Sequence, residues 1–482
     1  MPDLRPVFFV IGLLIAGLGM TMFIPMGVDL IYKDNSWQAF AISGLFTTLF
    51  GGVMALASYS PEPNLRARGA FVLTTFSWVA LSLFAALPLR LSPIGVSGLD
   101  ALFEAVSGIT TTGSTVFTGL DDMPKGVLLW RAMLQWIGGV GIIVTAMAVL
   151  PMLKVGGMQL FRLESSDMGE KILPKAASIA AGIGYIYVFL TFLCALGYVW
   201  TGMNGFDAVA HAMTTIATGG YSTSDASMGG FRDNGADIVC IAFMMAGAMP
   251  FGMYLMASRG NFRGAFMDPQ MRAFVIVVTI LISVITLFLW ITSEIGRFEG
   301  LRLAAFNSIS VITGTGFATA DYNSWGPFAV AMFFSFMFIG GCAGSTACSV
   351  KIFRYQVAFE GLRAYLFKMP RRFAVSPMRY NRAPLPEAVV YSVMGFLFLF
   401  FTCFALSAIA LSMTGLDTIT AWSAAATSIA NVGPGLGEII GPVGNFASLP
   451  VPAKLILMFN MLLGRLEIVT ALVLLTPSFW RS

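Results

Sequence analysis

Four times along the chain, a short apolar segment too brief to cross a bilayer ends in small and hydroxyl residues around a glycine. The copies are Thr110-Thr111-Thr112-Gly113-Ser114, Ala217-Thr218-Gly219-Gly220-Tyr221, Thr313-Gly314-Thr315-Gly316-Phe317 and Asn431-Val432-Gly433-Pro434-Gly435. Each follows about a dozen residues that can make three helical turns, and each lies between two apolar runs long enough to span a membrane. Gly113, Gly220, Gly316 and Gly433 recur at intervals of roughly a hundred residues, as an internal repeat requires. In three of the turns a second glycine, Gly219, Gly314 or Gly435, competes for the central position.

Such turns suit the handling of a dehydrated cation, which must be offered oxygen atoms in place of its water. Backbone carbonyls supply them, and glycine permits the angles that aim successive carbonyls at one axis. Threonine adds a hydroxyl oxygen without a charge that would hold the ion too tightly. A short helix before each turn directs its negative carboxyl end at the ion path. Candidate cation-binding residues are therefore Thr111, Thr112, Gly113, Thr218, Gly219, Gly220, Thr315, Gly316, Asn431, Val432 and Gly433.

The four turns resemble those of the Trk/Ktr/HKT potassium transporters, together with Gly98-Leu99-Asp100, Gly205-Phe206-Asp207 and Gly415-Leu416-Asp417 at the start of three short helices. The length, two extra N-terminal spans and the string Gly464-Arg465-Leu466-Glu467 are most similar to the bacterial TrkH branch. The resemblance implies potassium uptake across a bacterial inner membrane, with potassium at the filter residues. It also implies a homodimer with one pore per subunit and a peripheral, nucleotide-binding TrkA-type regulatory subunit. A broken helix is expected at Gly340-Gly341-Cys342-Ala343-Gly344-Ser345-Thr346-Ala347-Cys348-Ser349, forming a gate beneath the filter through Gly340, Gly341, Gly344, Ser345 and Thr346. Composition alone reads the same stretch as a small-residue packing face.

The remaining composition agrees with a polytopic membrane protein. With 57% hydrophobic and 11% charged residues, the chain lacks the charge that a water-facing surface demands. The expected architecture is all-α, with four parallel helix–pore-loop–helix repeats around a central pore. Two N-terminal transmembrane helices fall in 1–67, the repeats in 68–155, 156–265, 266–386 and 387–482. Spans are expected at 7–31, 38–57, 70–88, 128–150, 177–201, 236–257, 387–413 and 453–476, with a third repeat over 271–350. The run from Val7 is too long for a signal-peptide core and reads as a retained span. A cytoplasmic N-terminus puts Arg66 and Arg68, Lys154 to Lys175, Arg259 to Arg272, Lys351 to Arg382 and Arg481 on the cytoplasmic side, as the positive-inside rule requires. Asp121, Asp122, Asp225, Asp233, Asp237, Asp321 and Glu438 then fall near the outer mouth.

Other chemistry finds little support. The five cysteines lack metal-ligand spacing and read as packing residues, and the single histidine, His211, reads as structural within the second short helix. No catalytic pair occurs within the spans, so an enzyme is not expected, nor any covalently bound cofactor. The basic stretch with Arg354, Arg363, Lys368, Arg371, Arg372 and Arg379 suits anionic lipid headgroups or a cytosolic partner. No glycine-rich phosphate loop is present, so nucleotide control would come from another subunit. A secondary symporter coupling potassium to protons or sodium is the alternative, and would carry inverted repeats and broken helices with intramembrane carboxylates. Arg465, placed deep in an apolar run, must face water, the pore or a carboxylate, and is expected either in an interhelical salt bridge or beside the gate.

Overall fold

The computed structural model describes residues 4–59, 67–145, 172–370, 378–381 and 383–481. An apolar hairpin comes first: α1 (Arg5–Thr21) runs into α2 (Phe23–Tyr32), and α3 (Trp37–Ala57) returns along them. The two legs touch through bare backbone. A Cβ on Gly12 would sit 2.6 Å from the Ala55 nitrogen, and one on Gly19 2.5 Å from the Thr48 nitrogen. Small residues at this spacing let membrane helices approach closely enough to gain dispersion contacts that lipid cannot supply.

The hairpin is tied to the repeats by two carboxylates. Asp29 Oδ1 accepts from the Gly126 amide at 2.6 Å and Asp34 Oδ2 from the Lys125 amide at 2.8 Å. These amides open α6 (Lys125–Val144), so two of the donors that every helix leaves unsatisfied at its start are matched by negative charge.

Each repeat then places an outer helix, a short helix and an inner helix. The outer helices are α4 (Ala67–Leu91), α7 (Ile172–Trp200), α11 (Pro269–Thr292) and α15 (Glu387–Ser412). The short helices are α5 (Gly98–Ile109), α8 (Gly205–Ile216), α12 (Arg297–Ile312) and α16 (Thr418–Ala430). Three start at an oxygen cap, where Ser97, Asn204 and Asp417 accept from the amides of Asp100, Asp207 and Thr420. Among the described residues, seven helices are long and apolar enough to cross a membrane, or up to eight if one bent pair counts as a single span. A two-residue ladder, β1 (Arg379–Tyr380) with β2 (Ala383–Pro384), is a minor addition to the helical fold.

The inner helices differ from one another. In the first repeat α6 (Lys125–Val144) is unbroken; the expected continuation to 150 lies outside the described residues, as does the basic connection at 154–171. The expected continuous span at 236–257 is instead two helices, α9 (Ala236–Ala248) and α10 (Phe251–Ser258), meeting at 89°. Pro250 explains the break, since it donates no amide hydrogen and holds Met249 in extended geometry. In the third repeat α13 (Pro327–Phe336) stops early, and a non-helical loop leads to α14 (Ile352–Lys368). The expected span at 453–476 also breaks: α17 (Val451–Arg465) gives way to α18 (Val469–Val473), with Glu467 and Ile468 at positive φ of 60° and 28°.

Candidate functional site: a ring of four turns

The four short helices end in one local structure. Each has a residue in left-handed conformation just past its last turn: Thr111 (φ 52°), Thr218 (49°), Gly314 (72°) and Asn431 (52°). The next residue's amide reaches back five positions: Thr112 to Ser107, Gly219 to Thr214, Thr315 to Ser310 and Val432 to Thr427, at 2.8–3.0 Å. This six-to-one bond defines a Schellman cap, and it fixes the residues that follow relative to the helix axis. One step further stand Gly113, Gly220, Gly316 and Gly433, all at positive φ, between 77° and 112°.

These glycines close a cycle. A Cβ on Gly113 would collide with the carbonyl oxygen of Gly219, one on Gly220 with Thr315, one on Gly316 with Val432, and one on Gly433 with Thr112, each at under 3.0 Å. Every repeat therefore presents a bare Cα to a backbone carbonyl of the next, and the fourth repeat returns to the first. Backbone angle and contact both demand glycine at the four positions. The competing glycines have other duties. Gly314 is the left-handed cap residue, Gly219 lies against the Gln135 carboxamide, and Gly435 packs on Ile440.

Behind the ring, hydroxyl and amide side chains lock the turns together. Ser114 Oγ donates to the Gly433 carbonyl at 2.8 Å, and Asn431 Nδ2 donates to Thr112 Oγ1 at 2.8 Å and to the Met461 carbonyl at 2.9 Å. Thr110 and Thr112 share a hydroxyl bond, as do Thr313 and Thr315, both at 2.8 Å. The inner helices come close through glycine again: Gly138, Gly247 and Gly464 lie beside the last carbonyls of the short helices, those of Ile109, Ile216 and Ile429.

Sequence reasoning missed two charged residues here. Arg131 Nε and Glu104 Oε1 form a fully buried ion pair at 2.8 Å. Arg131 also donates to the Ser222 carbonyl at 2.9 Å and lies over the Tyr221 ring, while Glu104 accepts from the Val116 amide and the Thr115 hydroxyl. Opposite charges in a short helix and in the next apolar run were the available signal. Asp237 is not a free surface carboxylate. It is buried and accepts two bonds of 2.6 Å from Arg302, because the start of α9 packs against α12. Asp225 borders a cavity of about 220 Å³ that Gly113, Gly220, Gly316 and Gly433 also line. His211 is fully buried, bonded to the Asp207 carbonyl and to Ser222 Oγ.

On the other side of the ring lies the small-residue loop. Gly340 and Val350 are joined by a bond of 2.9 Å across its neck. Its tip fills the break between α9 and α10: the Thr346 amide and hydroxyl both donate to the Gly247 carbonyl, and the hydroxyl also to Ile216 O at 3.0 Å. Cys342 N donates to Ala248 O at 3.0 Å, and Phe251 N to Gly344 O at 2.9 Å. The bend thus leaves its freed carbonyls and amide satisfied, which makes a break tolerable inside a membrane. Gly341 packs on Ala248, and Ser345 Oγ caps the Cys342 carbonyl at 2.6 Å.

Arg465 ends α17 rather than lying midway along a helix, and it bridges this loop to the first repeat. Nη1 donates to Cys348 Sγ at 2.6 Å and Nη2 to the Gly138 carbonyl at 3.1 Å. No ion pair holds Arg465 among the described residues, so the interhelical salt bridge is absent there. Glu467 pairs with Arg354 instead, whose guanidinium is buried 3.6 Å from the Phe396 ring centre. Arg354 therefore belongs to the interior, not to a lipid-facing basic surface, and Cys348 is a polar contact rather than mere packing. Asn431, Cys348, Lys351 and Arg465 line a cavity of about 30 Å³, room for about one water molecule.

A closed ring of helix-capped turns with the carboxyl ends of four short helices behind it, set among membrane-spanning helices, defines a pore-loop type of membrane transport protein. Residues 36–482 match the family model TrkH, described as a cation transport protein, and the chain belongs to that family. It is 43% identical over 99% of its length to the Trk system potassium uptake protein TrkI of Halomonas elongata, covering 97% of that protein. To the Trk system potassium uptake protein TrkH of Escherichia coli it is 36% identical over 99% of both chains. The crystal structure of the potassium transporter TrkH from Vibrio parahaemolyticus superposes with a TM-score of 0.91, at 35% identity and 99% coverage of both chains. The chain is a multi-pass membrane protein of a transporter family, and not an enzyme.

The buried pair sets a stability expectation. Glu104→Gln leaves Arg131 charged, buried and without its counter-ion, which costs about 3–5 kcal/mol. A thermal melt of the purified protein in detergent should show a clearly lower midpoint than wild type, whereas an unchanged midpoint would contradict the assigned pair.

Proposed function

We propose that the protein carries out potassium-selective uptake across a bacterial inner membrane, with its N-terminus cytoplasmic and the ring of four turns as its filter. The observation that carries this reading is the closed cycle of four glycines against four carbonyls. Neutral backbone and threonine oxygens suit a monovalent cation that must leave again, and the negative ends of the short helices favour a cation over an anion. Among the described residues no group of three or more His, Cys, Asp or Glu side chains could hold a metal ion; a potassium filter built of neutral oxygens needs none. Relatives named as potassium uptake proteins support the choice of ion.

Gly113 is central to selectivity in this reading, since a serine at the first of these positions accompanies sodium permeation in plant members of the superfamily. In Gly113→Ser, the side chain meets the Gly219 carbonyl and an unfavourable φ of 86°. The potassium-to-sodium permeability ratio should fall in reconstituted vesicles; an unchanged ratio would count against the filter.

The loop over Gly340, Gly341, Gly344, Ser345 and Thr346 is read as the gate, with Arg465 as its latch. A guanidinium at this depth repels cations and ties the loop to two inner helices. Broken helices also suit the symporter alternative, but Glu104, Asp237 and Glu467 are each engaged by an arginine. Arg465→Ala should raise basal potassium flux in a folded protein, and planar-bilayer recording should resolve unitary currents, which alternating access cannot produce. Wild-type or lower flux would remove Arg465 from the gate.

Regulation is assigned to a cytosolic, TrkA-type nucleotide-binding subunit docking on a homodimer. The exposed basic end of α14 supports a docking role: Arg363 is 74% exposed and only loosely paired with Glu360, and Lys368, also exposed, ends the helix. Arg371 and Arg372 lie outside the described residues. Reversing Arg363 and Lys368 to glutamate should reduce co-purification with that subunit; retained association with weaker binding to anionic vesicles would favour the lipid role.

A further inference from the structure

The residue just before the central glycine is Thr112, Gly219, Thr315 and Val432 in the four repeats. Only the second lacks a side chain, although its φ is not positive. Its neighbour supplies the reason. A Cβ on Gly219 would lie within 3.0 Å of Cδ, Oε1 and Nε2 of Gln135, a residue of the first repeat's inner helix.

The Gln135 carboxamide spans the turn. Its Nε2 donates to the Gly219 carbonyl at 2.6 Å, and its Oε1 accepts from the Tyr221 amide at 3.0 Å. The bridged residue is Gly220, and the held carbonyl is the one that faces Gly113 in the ring. One turn earlier on α6, Arg131 holds the Ser222 carbonyl, and one turn later Gly138 abuts Ile109. Gln135 is fully buried, so its two bonds are made without competition from water.

The first and third turns brace this position internally, through Thr110 with Thr112 and Thr313 with Thr315. The second has no hydroxyl there. We propose that Gln135 replaces it in trans, as a positioning residue that fixes the Gly219 carbonyl and so contributes to discrimination between potassium and sodium. A carbonyl held by an amide donor cannot swing inward to meet the smaller ion. The inference rests on the ring being the filter.

The test uses the full-length protein in liposomes, reading the potassium-to-sodium permeability ratio. Gln135→Leu removes both bonds at similar bulk, and the ratio should fall about tenfold, the equivalent of one buried hydrogen bond. Gln135→Glu keeps the shape and makes the effect titratable. The ionised carboxylate cannot donate to Gly219 O, whereas the protonated acid can, so its ratio should recover toward wild type as pH falls. A packing role alone would give no such pH dependence. A ratio unchanged in Gln135→Leu and pH-independent in Gln135→Glu, with Gly113→Ser relaxed, would overturn the clamp and leave the filter standing. A ratio unchanged in Gly113→Ser as well would overturn the filter itself.

Discussion

Four backbone carbonyls lie where four glycines leave room for them, and the rest of the molecule is arranged to keep that contact. The contact is intolerant because a single methyl group at Gly113, Gly220, Gly316 or Gly433 would meet a peptide oxygen of the neighbouring repeat. Nothing flexible is available to move aside. Each turn must therefore be delivered at a fixed angle, and the Schellman caps do this by coupling the turn to a helix end. The helices in turn are placed by Gly138, Gly247 and Gly464, which let the inner helices reach the last carbonyls.

Support for the ring is uneven. The first repeat's inner helix runs unbroken past it and contributes Arg131, Gln135 and Gly138 on one face, while the corresponding helices of the other three repeats are interrupted. Interruption frees backbone groups that a membrane cannot solvate. The Gly340–Ser349 loop meets that demand in the second repeat, and Arg465 bridges it to the first. In the proposed gating, a rigid rail on one side and a bonded but non-helical loop on the other would let the loop move while the carbonyls stay in place. Burial of Arg465 against neutral acceptors is costly, so on the proposed gating these are contacts that a modest regulatory movement would exchange.

Much of this plan is legible in the chain. Fourfold recurrence of the turns and the apolar runs around them give the repeat architecture, because both follow from local composition. The competing glycines could also have been ordered by residues nearby: Ser107, Thr214, Ser310 and Thr427 stand six positions before the ring glycines, and Ile109, Ile216, Ile312 and Ile429 four before. Pro250 was an available signal for the bend in the second inner helix that the continuous span expected over 236–257 passed over, whereas the break after Arg465, where Glu467 and Ile468 take positive φ and Glu467 pairs with Arg354, has no comparable breaker. Pairings such as Gln135 with Gly219 and Arg354 with Glu467 join residues 84 and 113 positions apart. Such partners are set by how repeats pack, and no local pattern encodes them.

The central claim is that cations lose their water to the carbonyls of Thr112, Gly219, Thr315 and Val432. Anomalous diffraction from crystals grown with rubidium or thallium in place of potassium tests it most directly. The account predicts density on the axis of the four turns, between the cavity beside Asp225 and the Gly340–Ser349 loop, with the four carbonyl oxygens at coordinating distance. Density confined to the acidic residues of the outer surface, with none on that axis, would contradict it.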